Sequence, residues 1–304
     1  MAAPAMAADM AVKTPVYKAP PAAAVYSWTG FYVGGNLGYS WGRSGSDWNT
    51  SALNISGGNP ACQFAGTSFC VTGTDTNKLN GAIGGVQAGY NWQTGQFLAG
   101  VETDFQWSRQ RGSRLFNTGF DVGLGLPPGT LSANYTEKLA WLGTLRGRFG
   151  YAADRWLVYA TGGLAYGRVS IDGTATATGS DQIAALIGLT TAPCAVSGPL
   201  GFGACPFASF SNSVNKVGWT LGAGAEGAIA GNWSWKIEYL HVDLGKVSTT
   251  FATLPGCYGS SSGNQGACTF AAAGSGTISR GITDEIVRVG INYRFGSGPV
   301  VASY

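Results

Sequence analysis

The stretch from Thr283 to Phe295, TDEIVRVGINYRF, alternates apolar and polar residues with a period of two. Its apolar set is Val287, Val289, Ile291, Tyr293 and Phe295, and its other, mostly polar set is Asp284, Ile286, Arg288, Gly290, Asn292 and Arg294. A period of two predicts a β-strand with one apolar and one polar face. Such a strand fits a soluble sandwich with its apolar face inward, or a membrane barrel with that face toward lipid.

Composition favours strands over helices. Charged residues make up 11% of the chain, against about 25% in an ordinary soluble domain. The 304 residues include 49 Gly and ten Trp, a composition typical of many short strands with aromatic girdles. No apolar run approaches the roughly 18–20 residues of a spanning helix, so a membrane would have to be crossed by strands. The net charge of +3 is too small to indicate a nucleic-acid partner.

Seven further segments repeat the alternation, at 29–42, 79–92, 97–109, 136–151, 156–169, 216–229 and 233–249. Tight turns at 93–96, 153–155 and 231–232 alternate with long polar loops at 43–77, 110–134, 172–214 and 250–282. Loop lengths that alternate in this way are typical of outer-membrane barrels. The chain is therefore predicted to be all-β, an eight-stranded antiparallel up-and-down transmembrane β-barrel with short periplasmic turns and four long extracellular loops. The faces of 156–169 are too alike to set its register.

Charge placement decides which face of each predicted strand points inward. The polar faces collect a mixed-sign set that we expect to line the lumen: Glu102, Asp104, Arg146, Arg148, Glu226, Lys236, Glu238, Arg288 and Arg294. The opposite faces are nearly free of charge, and a charge facing lipid near the midplane costs roughly 2–4 kcal/mol. The set is either an ion path or gate, or a self-paired plug of the lumen, and we expect the plug.

Aromatic residues cluster at strand ends, on the apolar faces. The interior of an eight-stranded barrel is just wide enough for side chains, so these indoles are expected outside, at the two membrane interfaces. Leu139 is expected on the same outer face as Trp141. The predicted girdle is Trp41, Trp92, Trp107, Trp141, Trp219, Trp233, Trp235, Tyr293 and Phe295.

Six Cys fall as three close pairs inside polar loops: Cys62/Cys70, Cys194/Cys205 and Cys257/Cys268. Their spacing does not fit a zinc site and no His is near. Six Cys allow 15 pairings; proximity in sequence favours local disulfides, formed in an oxidising compartment.

The two ends of the chain differ from the alternating middle. Ala5-Met6-Ala7 matches a signal-peptide cleavage pattern, so 1–7 is expected to be a signal-peptide remnant, the alternative being an Ala-rich disordered start. Residues 8–28 are expected to form a Pro/Ala-rich periplasmic linker, 29–295 the barrel and 296–304 a C-terminal tail. Either Phe295 or Tyr304 is expected to be the aromatic signal that the outer-membrane insertion machinery reads.

Three motifs carry a family resemblance: WTGFYVGGNLGY at 28–39, EYL at 238–240 and NYRF at 292–295. With the Pro-rich lead-in, they resemble the small outer-membrane β-barrel proteins of alphaproteobacteria, the porin-family or surface-antigen-like group, over roughly residues 8–304. The resemblance implies a barrel in the outer membrane of a Gram-negative bacterium. It also implies roles that vary between members: envelope integrity, surface antigen and, in some, haemin binding. The three Cys-containing loops depart from that pattern.

Two motifs that suggest other chemistry are weak here. Gly222, Gly224 and Gly227 fit G-x-G-x-x-G, but a turn and another strand follow where a dinucleotide site needs a helix. His241 is the single His and has no nucleophile beside it for a triad; an interfacial surface position is expected in preference to haem ligation. We therefore expect no enzyme activity, no catalytic residue, no metal and no cofactor.

The function expected from the sequence is envelope integrity and surface display, with outer-membrane lipid as a partner and a plugged lumen. The alternatives are a narrow porin for small solutes, or a surface receptor for haemin or a host or phage partner through disulfide-tied loops. The sequence does not set the oligomeric state.

Overall fold

The computed structural model describes residues 26–51, 63–64, 67–68, 71–120, 129–179, 202–252, 256–258, 270–272 and 275–295. Eight long strands form the body of the molecule: β1 Gly30–Ser51, β2 Val71–Thr94, β3 Phe97–Phe120, β4 Gly129–Ala153, β5 Trp156–Gly179, β6 Phe202–Ala228, β7 Trp233–Ala252 and β8 Ser275–Phe295. Two short hairpins, 63–64 with 67–68 and 256–258 with 270–272, lie outside this body.

The eight strands close into an antiparallel barrel in which every strand pairs with its neighbours in sequence. The last strand returns to the first, so that β1 and β8 pair without a break from Phe31–Phe295 to Ser51–Ser275. The tight turns each hold one residue in the left-handed region: Gly95, Asp154 and Gly231, with φ of 62°, 52° and 55°. The predicted up-and-down architecture is confirmed.

The strands are much longer than the sequence predicted. They run for 20 to 27 residues, whereas a tilted membrane strand needs only about 9–11. The predicted loop bounds are therefore wrong: residues 43–51 and 71–77, for example, belong to β1 and β2. Beyond the predicted strand ends, the outward positions include Ser, Thr, Asn, Gly and charged residues. The hydrogen-bonded pairing therefore continues after the apolar–polar alternation has ended.

Apolar side chains face outward around the half of the barrel that includes the tight turns. Leu37, Val217 and Phe149 are 71%, 70% and 63% exposed, while inward neighbours such as Asn36 and Arg148 are buried. This is the reverse of a soluble barrel and leaves an apolar band on the outer wall. No helix in the described part of the chain is long and apolar enough to cross a membrane.

On the side opposite the tight turns, the barrel divides into two sheets. Hydrogen-bonded pairing of β6 with β7 ends at Trp219–Asp243, and that of β2 with β3 ends at Asn80–Arg111. Beyond these two pairs, toward the end of the barrel away from the tight turns, no backbone ladder joins the described residues of β6 to those of β7, or those of β2 to those of β3. The extracellular half is thus a sandwich of β7-β8-β1-β2 against β3-β4-β5-β6.

Side chains bridge the two seams where the backbone ladders have ended. Across the β2–β3 seam, Arg114 Nη2 lies 3.1 Å from Asp75 Oδ1. Across the β6–β7 seam, Asn212 Nδ2 donates to Thr249 Oγ1 at 3.1 Å.

β-Bulges lie at the level where the barrel divides. In β7, Gly245 has φ of 70° and its N–H donates to Asp243 Oδ1 at 2.7 Å, and the β7–β8 register shifts at the same point. A second shift, between Leu139 and Trp141 of β4, turns Leu139 into the interior, where it is 2% exposed. The expected outward position of Leu139 is wrong, because an extra residue in a strand reverses the face of everything beyond it.

The sandwich encloses an apolar core. Trp48 of β1 stacks on Phe116 of β3 at 5.6 Å and lies 5.4 Å from the ring of Tyr135 on β4. Inward-facing Leu, Ile and Val from both sheets belong to the same cluster, among them Ile83, Leu142, Val169, Ile171, Leu244, Val247, Ile278 and Ile282.

Candidate functional site: the barrel lumen

The middle of the lumen is filled by charged side chains that strand pairing places side by side. Glu102 of β3 lies directly opposite Arg146 of β4. Glu226 of β6 lies opposite Lys236 of β7, and Glu238 of β7 opposite Arg288 of β8. Cross-strand pairs of opposite charge stabilise a sheet, and here they all face inward at one level.

Arg146 lies at the centre of this charge network and is fully buried. Its Nη2 lies 3.0 Å from Asp104 Oδ2, its Nη1 lies 3.0 Å from Glu238 Oε1, and it also pairs with Glu102. Arg288 connects the same carboxylates from the other side, with Nη2 2.9 Å from Asp104 and Nε 2.7 Å from Glu238.

Lys236 and Arg148 complete the network. Lys236 Nζ lies 3.1 Å from Glu102 Oε1. Arg148 Nη2 lies 3.0 Å from Glu226 Oε2, and its guanidinium carbon lies 3.9 Å from the centre of the Tyr159 ring. Four carboxylates therefore meet four cations, and the cluster is neutral.

Neutral donors satisfy the remaining carboxylate oxygens. Tyr32 donates to Glu102 at 2.6 Å and Tyr159 donates to Glu238 at 3.0 Å. Ser234 and Asn292 donate to Glu226 at 2.6 and 2.8 Å. A buried charge is tolerated when it is paired and hydrogen-bonded, and these carboxylates meet both conditions.

Below the network, aromatic and aliphatic side chains fill the periplasmic mouth. Trp28, which precedes β1, is 2% exposed and packs with Leu98, Ala152 and Leu157. The backbone N–H of Trp28 donates to Gln93 Oε1 at 2.7 Å. The lumen is thus occupied at three successive levels: the apolar periplasmic mouth, the charge network, and the apolar core of the sandwich.

The sequence of the chain matches the outer membrane protein beta-barrel domain over residues 15–295. The chain belongs to this family. Its membrane location follows: the barrel is an outer-membrane protein of a Gram-negative bacterium, and its apolar band contacts lipid.

Curated relatives agree with the family. The 31 kDa outer-membrane immunogenic protein of Brucella melitensis is 36% identical over 252 residues, which cover 80% of this chain and 82% of that protein. The 22 kDa outer membrane protein of Rhizobium leguminosarum is 26% identical, over 88% of this chain and 79% of that protein. The resemblance to alphaproteobacterial outer-membrane barrels is confirmed.

Among solved structures, Ail, the attachment invasion locus protein of Yersinia pestis, matches 82% of this chain and 98% of its own. The sequence identity is 13% and the TM-score is 0.25, so this likeness carries no argument about function.

One residue of the predicted lumen set lies apart from the others. Arg294 of this outer-membrane barrel is at the periplasmic end, where its guanidinium donates to the Ser27 carbonyl and lies 4.5 Å from the centre of the Tyr26 ring. It ties the segment before β1 to the end of β8.

The predicted girdle residues lie on the outer wall. Trp107 is 60% exposed, Trp92 52% and Phe295 51%, and Trp141 and Tyr293 are half-buried. At the periplasmic rim, neighbouring rings from three strands touch: Trp233 with Tyr293 at 5.1 Å, Tyr293 with Phe295 at 5.1 Å, and Phe31 with Phe295 at 5.8 Å.

The three predicted disulfides lie outside what the structure describes, because each includes a Cys outside the described residues. They are Cys62–Cys70, Cys194–Cys205 and Cys257–Cys268. They stay predictions, as do the roles assigned to 1–28 and 296–304.

The two weak motifs take ordinary structural places. Gly222, Gly224 and Gly227 lie within β6, and the Tyr159 hydroxyl reaches so close to Gly224 that a Cβ there would lie 2.5 Å from it. His241 is on the outer wall, with Nδ1 2.8 Å from Glu285 Oε1 and its ring 5.2 Å from that of Trp219.

Sequence reasoning missed the neutral members of the lumen. Tyr32 and Tyr159 were assigned no role, although Tyr32 has the inward parity of Asn36 and Ser40 on β1. An aromatic residue on the polar face of a strand was the available signal.

Proposed function

We propose that this outer-membrane barrel is a structural and surface-displaying protein whose lumen does not conduct. The observation that carries the proposal is the neutral charge network at mid-lumen, in which all four carboxylates are paired with cations and hydrogen-bonded. An ion path needs charges or dipoles that remain free to replace an ion's water shell. Here the carboxylates of Glu102, Asp104 and Glu238 are already shared between Arg146, Lys236 and Arg288.

The apolar material on either side supports the same proposal. An ion that passed the network would also have to cross the Trp28 cluster and the core around Trp48. An apolar interior of this kind excludes water, because a buried water molecule needs polar partners.

Conductance in planar bilayers tests the closed lumen. Purified barrel is reconstituted in 1 M KCl beside a general-diffusion porin, which shows that insertion is detected. We expect no steady unitary current from this barrel, although protease protection shows that it has inserted. A sustained unitary current would refute the proposal in favour of a narrow porin.

We propose that surface display is carried by the extracellular sandwich. The relatives in Brucella are named immunogenic proteins. Strands of up to 27 residues, against the roughly 9–11 that cross a bilayer, extend well beyond the membrane. As a test, an epitope tag is inserted either within 253–255 or between Gly95 and Gln96. Intact cells should bind antibody only with the first insertion, and permeabilised cells with both. The reverse pattern would contradict the orientation.

A contribution to envelope integrity is tested in cells. A strain that lacks the barrel is expected to be more sensitive to detergent, with full rescue by the intact gene. Rescue that fails despite normal amounts of heat-modifiable barrel would contradict this part of the proposal.

A further inference from the structure

Outward-facing cations form a belt on the outer wall across β1 to β5, just beyond the aromatic residues. Arg43 follows Trp41 by two residues on β1, and Arg109 follows Trp107 by two on β3. The remaining members, on β2 to β5, are Lys78, Arg111, Lys138 and Arg168. This height on the wall is where lipid headgroups begin, since aromatic girdles mark the interfaces.

Strand pairing sets like charges directly opposite each other within the belt. Arg43 pairs with Lys78 across β1 and β2, and Arg111 pairs with Lys138 across β3 and β4. Directly opposed residues have Cβ atoms about 4.5–5.5 Å apart, and like charges in such positions destabilise the sheet. The lumen of the same molecule shows the opposite arrangement, with carboxylates opposite cations.

The belt lacks protein counterions on three strands. In the described part of β2, β3 and β4 no outward position is Asp or Glu, and Asp75, at the seam, pairs with Arg114. Glu285 on β8 is the acidic group near Arg43. Lys78 and Arg111 therefore face the headgroup region with no carboxylate directly opposite or diagonal to them, whereas Lys138 has Asp172 of β5 as a diagonal neighbour.

An apolar groove crosses the wall below the belt, over β8, β1, β2 and β3. Gly35 and Ala88 form its shallow floor, Phe105 and Trp107 bound one side, and Trp233 and Tyr293 bound the other. Its floor is low because the residues there have little or no side chain. A flexible acyl chain fits a groove of this kind, where a rigid ring would not lie flat against the curved wall.

We propose that this face is a binding site for one outer-leaflet acidic glycolipid, with its phosphates on the Lys78–Arg111 part of the belt and an acyl chain in the groove. The opposed like-charged pairs then gain a shared anion, which removes their repulsion. The site is independent of the closed lumen: it would stand if the barrel conducted ions.

Binding of purified lipid A to the barrel in neutral detergent micelles, followed by native mass spectrometry, tests the headgroup contacts. Lys78→Gln with Arg111→Gln removes two belt cations, and Lys246→Gln with Arg155→Gln removes two exposed cations elsewhere. With about 1 kcal/mol per cation near an anionic surface, the belt variant should bind about 30-fold more weakly. The control variant should bind as the unmodified barrel does. Equal binding by both variants, or equal loss in both, would overturn the proposal.

The groove is tested by filling it. A Cβ added at Gly35 meets only the Gly85 carbonyl, at 3.8 Å, and a Cβ added at the outward Gly147 of β4 meets only the Gly162 carbonyl, at 3.9 Å. Gly35→Leu should therefore fold and weaken lipid A binding several-fold, and the matched Gly147→Leu should leave it unchanged. Equal effects of the two would remove the acyl chain from the proposal.

A last comparison separates lipid from free anion. Inorganic phosphate, at the phosphate concentration of the lipid A used, should leave the complex intact because it lacks the acyl contact. Displacement by phosphate alone would show an anion site without lipid and would overturn the assignment. Heat modifiability on unboiled gels confirms that every variant is folded before binding is measured.

Discussion

Replacing Arg146 by Met removes the cation that joins three carboxylates at the centre of the lumen. Its guanidinium lies 3.0 Å from both Asp104 and Glu238 and has no solvent exposure. The substitution leaves four carboxylates with three cations in a space that water does not reach. Removing one partner of a buried ion pair costs about 3–5 kcal/mol, and we expect a loss in that range.

Reversible urea unfolding in lipid vesicles, followed by Trp fluorescence, measures the loss. With a denaturant slope of about 3 kcal/mol per molar urea, at the upper end for small domains, the midpoint should fall by about 1–2 M. Arg114→Met is the matched control, because it breaks an ion pair whose arginine is 52% exposed. An exposed pair contributes about 0–1 kcal/mol, so this midpoint should barely move.

A second variant separates charge balance from lost packing. Arg146→Met combined with Glu238→Gln restores a neutral lumen, so the double variant should be more stable than the sum of the two single effects. Groups that share a network couple by about 0.5–3 kcal/mol. Strict additivity, or a loss for Arg146→Met no larger than for Arg114→Met, would refute the assignment of a mutually neutralised network.

Four further predictions concern closure, the mouth, the bulge and the cysteines. Truncation before Ile286 should abolish assembly, since β1 would lose its partner and leave backbone groups unsatisfied in lipid at several kcal/mol each; recovery of heat-modifiable protein from the outer membrane would contradict this. Trp28→Ala should cost about 3–5 kcal/mol in urea unfolding by opening a cavity, whereas the exposed Trp92→Ala should cost less. Gly245→Val should be destabilising, because φ of 70° is a genuine outlier for a β-branched residue; Gly281→Val, at a β8 position with open space, is its control, and equal stability of the two would argue against the bulge. Mass spectrometry should find local disulfides, and an all-Ser variant should keep its barrel while the loops become protease-sensitive; links between loops would contradict the pairing Cys62–Cys70, Cys194–Cys205 and Cys257–Cys268.

The sequence located the membrane part of this barrel well because lipid imposes a strict pattern there. Outward residues in lipid are mostly apolar because charge is costly there. On β8 the outward face is formed by Val287, Val289 and Ile291, which are 38%, 55% and 51% exposed. The inward residues Arg288 and Asn292, which alternate with them on the same strand, are each 1% exposed. The period of two therefore predicts the number of strands, the short turns and the direction of most faces, although not the faces of 156–169 or the inward position of Leu139.

The strands of the extracellular half could not be predicted from the sequence in the same way. Outside lipid an outward position can be Ser, Thr or Asn, as at Ser211 and Ser213 of β6, and such residues are equally common in loops. The alternation then loses its contrast even though the strand continues. The predicted loops at 43–77 and 172–214 include residues that the structure places in ladders because neighbouring strands supply the hydrogen bonds.

What the sequence by itself determined is the alternation, and with it the barrel, its outward apolar band and the inward direction of charges such as Glu102 and Arg146. What only the tertiary structure decided is which residues meet across the barrel: the four-to-four charge balance, the Trp28 mouth, and the division into two sheets. Those features depend on register and on bulges such as that at Gly245, where one extra residue changes every later contact. A period-two pattern contains no information about register or bulges, because the pattern is the same for any register that keeps the apolar face toward lipid.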